Sequence, residues 1–410
     1  MTHQLTPGEI DPLARDVIFG LKTEIGVQET LDRLRDAGRT VAIVRTVDGD
    51  APYAYAVLGF ENVQKVFEND DDLPAEDMVR ERPGKLFGEI VWGQHGEAHL
   101  WHRSVFGAPL IPRRVRERAQ DVILPMVNRL IDGFAGRTRL DFVTEFAHHL
   151  PFDVISEMLA IPEEDREGLR LDVRRLFFFE HPDQILPATV RIKAYLAELI
   201  KERRKNPGDD VLSYMAHAEL NGRRYTDDEL ADNARFLYPV AGENTMNSLA
   251  TTLYFVLSQP GVLERVRANP EDRRAAVEES LRLRTPIVYI PRITKKPIVV
   301  DGVEIPAGSN VLLCNSSGNR DPERFANPTE FSLDRGPINH MTFGRGPHFC
   351  LGAHLARAEN RVMLDAVLTR LPGLRLAPGQ DFVFRGSSVH GLQSLEIEFD
   401  AVLPASAVQA

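Results

Sequence analysis

Phe343-Gly344-Arg345-Gly346-Pro347-His348-Phe349-Cys350-Leu351-Gly352 is the stretch on which the reading of this chain turns. Gly344 and Gly346 lack a Cβ, so the backbone there can take unusual dihedrals and lie close against a flat partner. Cys350 stands just before Leu355, Ala358, Val362 and Ala366, apolar residues at helical spacing. The sulfur is therefore expected at a helix N-terminus, where unpaired N–H groups and the helix dipole favour an anion and lower the thiol pKa. Phe343 is placed to shield it. Three readings are open at this point. The cysteine is an inert small hydrophobe, a zinc ligand together with His340, His348 and His354, or the thiolate ligand of a haem iron.

The same ten residues resemble the signature of the cytochrome P450 family, whose Phe, paired Gly, His or Arg, Cys and Gly are matched at every position. The resemblance implies a mainly α protein with small β-sheets, in one large domain over residues 1–410. It implies haem b as cofactor, with Cys350 as the metal ligand and Phe343, Gly344 and Gly352 around it. A thiolate ligand pushes electron density onto iron and favours O–O cleavage.

Composition is compatible with that reading. The 410 residues are 43% hydrophobic with 21 Phe, enough for a large core, and no Pro/Gly/Ser-rich linker or repeat divides them. No apolar run is long enough to span a bilayer and residues 1–31 do not read as a signal peptide, so a soluble, cytoplasmic protein is expected. Cys314 and Cys350 sit in unlike settings, which argues against a disulfide. A formal charge of -11 disfavours nucleic acid as a partner.

Local patterns predict helices over 27–37, 62–68, 98–107, 115–134, 153–159, 188–205, 227–258 and 270–284. Two hairpins are expected: Val41–Val44 with Tyr53–Val57 across Asp48-Gly49, and Pro297–Val300 with Val303–Ile305 across Asp301-Gly302. The β-rich part is expected at about 38–60 and 286–313, and the helical haem-binding core at about 95–285 and 315–372.

Further motifs follow in the family's order. Glu279 and Arg282, at i and i+3, resemble its E-x-x-R pair, with Arg335 as the third member of a buried structural network. His99 and Arg103, at i and i+4, together with Arg292 and His348, match positions that meet the haem propionates; Arg suits a carboxylate because its planar fork donates two bonds. Ala241-Gly242-Glu243-Asn244-Thr245 resembles the oxygen-activation segment. There Ala241 would lie against the haem, Gly242 would permit close approach, and the Thr245 hydroxyl would bond back to the Ala241 carbonyl and open the helix, next to a kink at Pro239. Thr245, Glu243 and Asn244 are the catalytic candidates, although Asn244 stands where the family carries an acid.

By the same resemblance Phe87, Ile90, Phe178, Val240, Ile287, Val288 and Val389 approach a small apolar substrate, a terpenoid, steroid, fatty or aromatic compound. The expected activity is O₂-dependent hydroxylation or dealkylation by a monomer, with peroxide-driven oxidation or non-catalytic haem sensing as alternatives. The chain ends about sixty residues after Cys350, so electrons are expected from a separate ferredoxin and an NAD(P)H-dependent reductase, docking near Arg113, Arg114, Arg116 and Arg118.

Overall fold

Asp227–Ser258 is the central helix, 32 residues long. Thr226 starts it with a capping box: its hydroxyl accepts from the Glu229 N–H, and Glu229 in turn accepts from the Thr226 N–H. Asp227, Asp228 and Glu229 fill the first turn, where acids complement the dipole. Around it pack Leu150–Met158, Pro182–Lys205, Pro270–Leu283 and Ala353–Arg370. The computed structural model describes residues 3–20, 24–47, 51–81, 83–177 and 182–407.

The largest sheet runs in the order Ile18–Phe19, Val41–Thr46, Tyr53–Val57, Asn310–Leu313, Ile290–Ile293. Val41–Thr46 and Tyr53–Val57 pair antiparallel as expected, while their Asp48-Gly49 connection lies outside the described residues. Ile298–Val300 and Val303–Ile305 form the second hairpin, and its Asp301 and Gly302 have φ of 45° and 79°, the left-handed pair that matches strand twist. Two smaller sheets near the C-terminus, one joining Glu396–Glu398 to both Arg139–Asp141 and Arg375–Leu376, had no sequence signal beyond two- or three-residue runs.

Most expected helices are present with ends shifted by a few residues. One is not a single helix. The span 115–134 divides into Pro112–Arg118, a wide π turn at Ala119–Ile123 and Leu124–Asp132. Pro125 explains it, since proline has no N–H to return to the preceding turn and its ring crowds the carbonyl there. Glu163–Phe177 was missed although Glu163, Glu164 and Asp165 mark its first turn and Leu169, Val173 and Leu176 recur on one buried face; it is polar over most of its length. No described helix is long and apolar enough to cross a membrane.

Candidate functional site

Cys350 lies two residues before the helix Ala353–Arg370, in a loop fixed at both glycines. Gly344 and Gly346 have φ of 70° and 64°. A Cβ on Gly346 would stand 2.8 Å from the Phe67 carbonyl oxygen. This conformation and the end of the helix Phe60–Glu68 pressing on the loop both require glycine here. The Cys350 N–H donates to the Phe343 carbonyl at 2.9 Å, closing the turn.

The expectation of a lowered thiol pKa is corrected. Protein surrounds Cys350 on most sides, and burial pushes its thiol up. The Gly352 and Ala353 N–H groups and the Arg103 and Arg357 charges oppose that without overcoming it. The Cys350 residue is nonetheless exposed. The helix N-terminus contributes, but desolvation is the larger effect.

His99, Arg103 and His348 gather beside this sulfur, and Arg292 lies near them through Asp70, whose charge it feels. The His99 and His348 rings stand 4.2 Å apart. Arg103 donates to the Phe349 carbonyl at 2.7 Å, one residue from Cys350. His348 Nε2 lies 3.1 Å from Asp70 Oδ1 but off the line of a hydrogen bond, which leaves a buried nitrogen without one. Burial, with the nearby His348 and Arg103, holds His99 down at about 4, so it is neutral at pH 7. Arg292 is 3% exposed, and burial lowers its pKa to about 10. Its Nη1 donates to the Pro291 carbonyl at 3.0 Å, and no carboxylate among the described residues forms an ion pair with it.

This donor set fits haem. A buried guanidinium that only Asp70 offsets, and not in contact, an imidazole nitrogen without a hydrogen bond and Arg103 suit two propionates, and the thiol suits iron. The zinc alternative has no such support. Among the described residues no group of three His, Cys, Asp or Glu is placed to hold a metal ion. His340 is instead buried against Glu278.

Glu279, Arg282 and Arg335 come together. Arg282 donates to both Glu279 oxygens at 2.7 and 2.8 Å, and Arg335 Nε donates to Glu279 Oε1 at 2.6 Å. Glu279 and Arg282 have no accessible side-chain surface. Arg282 also donates to the Asn319 carbonyl, and the Asn319 side chain bonds Met341 N–H and the Thr342 hydroxyl, which lead directly into Phe343. The buried pair is thus mechanically joined to the cysteine loop. A second network, missed in the sequence, lies beside it. Glu278 accepts from Arg357 and His340, and although burial alone would raise its carboxyl, these partners hold it at about 2. The Arg357 guanidinium sits 4.4 Å from the Phe343 ring centre. Glu278 and Arg357 look like ordinary surface residues in one dimension.

The segment Ala241–Thr245 departs from expectation in three ways. The helix runs unbroken through it and through Pro239. Thr245 forms no hydrogen bond to Ala241; the bond back to the preceding turn comes instead from Asn244, whose Nδ2 donates to the Val240 carbonyl at 3.2 Å. An amide reaches that carbonyl as readily as a hydroxyl does, and its own Oδ1 is left buried without a partner. Gly242 faces another helix: a Cβ there would lie 2.3 Å from Phe152 Cε1, so its small size serves helix packing. Glu243 and Ala241 are half-buried, and Thr245 is buried at 6% exposure. Ser248, Thr252 and Asn360 form a hydrogen-bonded core between the central helix and the helix after Cys350, also unseen in the sequence.

Of the substrate candidates, Ile287 and Val389 pair across an antiparallel bridge, and both, like Val240, are partly exposed. Val288 is a correction: it is packed into the core with Leu31 and Tyr289 just before the strand Ile290–Ile293, with no surface to offer. Ile90 likewise has none, and Phe87 packs edge-on against Phe236. Both hold a loop in place. Phe178 lies outside the described residues.

Comparison with known proteins agrees with the geometry. The family model described as Cytochrome P450 matches residues 168–372. Cytochrome P450 monooxygenase PikC of Streptomyces venezuelae is 35% identical over 388 residues, 90% of each chain. Among solved structures, the bacillaene polyketide synthase cytochrome P450 PksS of Bacillus subtilis superposes with a TM-score of 0.84 at 28% identity, covering 91% of this chain and 96% of that one. CYP109E1 of Bacillus megaterium in complex with testosterone gives 0.82 at 26%, covering 91% and 99%.

Proposed function

Because this chain belongs to the cytochrome P450 family and is a haem-thiolate monooxygenase, we propose that it oxidises a small apolar molecule with O₂ and with electrons from a separate ferredoxin and its NAD(P)H-dependent reductase. The observation that carries the reading is the gathering of His99, Arg103 and His348 beside Cys350, with the buried Arg292 reaching the same cluster through Asp70. Bound there, the haem supplies oxygen activation, to which the thiolate contributes electron density.

The chain's own residues do the rest. Cys350 ligates the iron, and the Gly352 and Ala353 N–H groups stabilise negative charge on its sulfur. Arg292, Arg103, His99 and His348 anchor the propionates and fix the ring's orientation. Thr245 offers a hydroxyl that can hold and pass a proton. Asn244 beside it cannot serve as an acid, because an amide has no proton to give at neutral pH and its Nδ2 is engaged with Val240. Glu243 is then the nearest carboxyl in sequence, on an adjoining face of the helix.

Apolar groups at Val240, Ile287 and Val389 support an apolar substrate. So do the relatives, one of them bound to testosterone. The Arg113, Arg114 and Arg116 side chains are exposed on Pro112–Arg118, which packs against the helix following Cys350, with Glu117 offsetting part of their charge. That face supports docking of an acidic electron donor.

A second reading, peroxide-driven oxidation, is favoured by one observation, the amide at 244. A carbon-monoxide difference spectrum of the reduced protein tests the ligand. Turnover with NADH, ferredoxin and reductase, set against peroxide alone, tests the reaction; turnover by peroxide only overturns the first reading. Displacement of iron-bound water across a substrate library then identifies the compound class.

A further inference from the structure

Glu278 and Glu279 are neighbours on the helix Pro270–Leu283, about 100° apart around its axis, and they serve different partners. Glu279 belongs to the buried network with Arg282 and Arg335. Glu278 crosses to the helix Ala353–Arg370, where it accepts from Arg357 Nε at 2.7 Å and from Arg357 Nη2 at 2.9 Å. A forked pair of this kind fixes the orientation of the guanidinium as well as its distance. The central carbon of that guanidinium stands over the Phe343 ring, 4.4 Å from its centre. Phe343 in turn accepts the Cys350 N–H on its carbonyl. One residue thus meets the cation through its ring and the cysteine through its backbone.

His340 completes the cluster without adding charge. Its Nδ1 accepts from the Thr342 N–H at 3.2 Å, so the ring proton is on Nε2, which donates to Glu278 Oε2 at 3.2 Å. Burial pushes the imidazole pKa down, and the ring is neutral at pH 7. The two charges that remain are unevenly placed. In the line of contacts from Glu278 through Arg357 and Phe343 to Cys350, the cation comes before the anion on the side of the sulfur. Arg357 is also one of two cations whose charge favours the Cys350 thiolate. A cation held beside a thiolate draws on the electron density that the sulfur gives to iron, and so favours the ferrous form of a bound haem.

We propose that Arg357, oriented by Glu278, is a positioning residue that sets how readily the Cys350-ligated iron accepts an electron, by holding a positive charge against Phe343. The proposal rests on the haem-thiolate reading of Cys350. Arg357 acts through Phe343 and the sulfur; it is not a catalytic group. Two substitutions change the charge of the cluster in opposite senses. Arg357→Gln removes the cation and keeps an amide that can donate to Glu278. Glu278→Gln removes the anion and keeps an acceptor for Arg357.

The test measures the reduction potential of the full-length, haem-loaded protein by stepwise dithionite titration with redox mediators, followed in the Soret band. Arg357→Gln is expected to move the one-electron equilibrium about tenfold toward ferric, a potential about 59 mV lower, and Glu278→Gln about threefold toward ferrous. Arg357→Lys, which keeps the charge without the fork, is expected to recover most of the loss seen with glutamine. A purely structural role predicts otherwise, since loosening the cysteine loop from either helix shifts both variants the same way. Shifts of one sign, or potentials unmoved throughout, would overturn the proposal. Should one glutamine variant fail to take up haem, the other decides: a fall for Arg357→Gln or a rise for Glu278→Gln upholds the proposal, and any other result overturns it. A parent whose reduced carbon-monoxide complex lacks the thiolate band would overturn the haem assignment and this proposal with it. A parent that shows the band, with variants of unaltered potential, overturns the proposal alone.

Discussion

Replacing Arg292 with methionine should move two quantities in opposite directions. Arg292 is 3% exposed, and burial holds its pKa at about 10, against an ordinary 12.5. At 1.36 kcal/mol per pH unit, the difference sets about 3 kcal/mol against the charged form. An arginine remains charged at neutral pH, and Asp70 offsets its burial only in part, so the polypeptide bears that instability. Methionine fills comparable volume without charge. The haem-stripped variant should thus be more stable than the parent, by about 1–3 kcal/mol in urea unfolding followed by circular dichroism. Haem retention should change the other way. Removing one member of a buried, hydrogen-bonded charge pair costs about 2–5 kcal/mol, so haem should transfer to excess apomyoglobin roughly 30-fold to several thousand-fold faster. Unchanged transfer would show that Arg292 does not face a propionate. A haem-free variant less stable than the parent would show instead that the bond to the Pro291 carbonyl, rather than the charge, is what the fold uses.

Three other outcomes are expected. Asn244→Asp should raise the share of NADH that ends in product rather than peroxide; no gain in coupling, measured as product per NADH, would free position 244 of any part in proton supply. Glu359 is buried, its Oε2 has no hydrogen-bond partner, and burial raises its carboxyl well above 4.5. The folded chain then keeps a proton that the unfolded chain has released, so stability is highest below about 4.5 and falls as pH rises from there through the folded pKa. Glu359→Gln should remove that fall, and its advantage over the parent in urea midpoint should be larger at about pH 8 than at about pH 5; a constant difference would refute a shifted carboxyl. Gly242→Ala should destabilise by about 1–3 kcal/mol through overpacking against Phe152, and Phe152→Leu should recover part of it in the double variant, as thermal unfolding would show.

The fold and the ligand were legible because both are written locally. A loop glycine pair before Cys350, the Thr226 cap with its acids, and Asp301-Gly302 between two apolar runs each carry their geometry in adjacent residues. Arg103, Arg292 and His348 could be placed by family order, although nothing in the sequence showed that Arg292 would be a buried cation without an ion-pair partner among the described residues. Where side chains from distant parts of the chain meet, sequence carried little. Glu278 with Arg357, Asn360 with Ser248, and Asn233 with Val91 are separated by 79, 112 and 142 positions. The Ala241–Thr245 segment misled for a different reason: its residue types were right, but Gly242 is spent on Phe152, and the bond back to the preceding turn runs from Asn244 to Val240 rather than from Thr245 to Ala241.

The seat of Gly242 on Phe152 has a bearing on redesign. A rod jammed against its backing at that point cannot retreat to admit a bulkier guest. Libraries meant to widen the range of accepted compounds should therefore leave 241–245 alone.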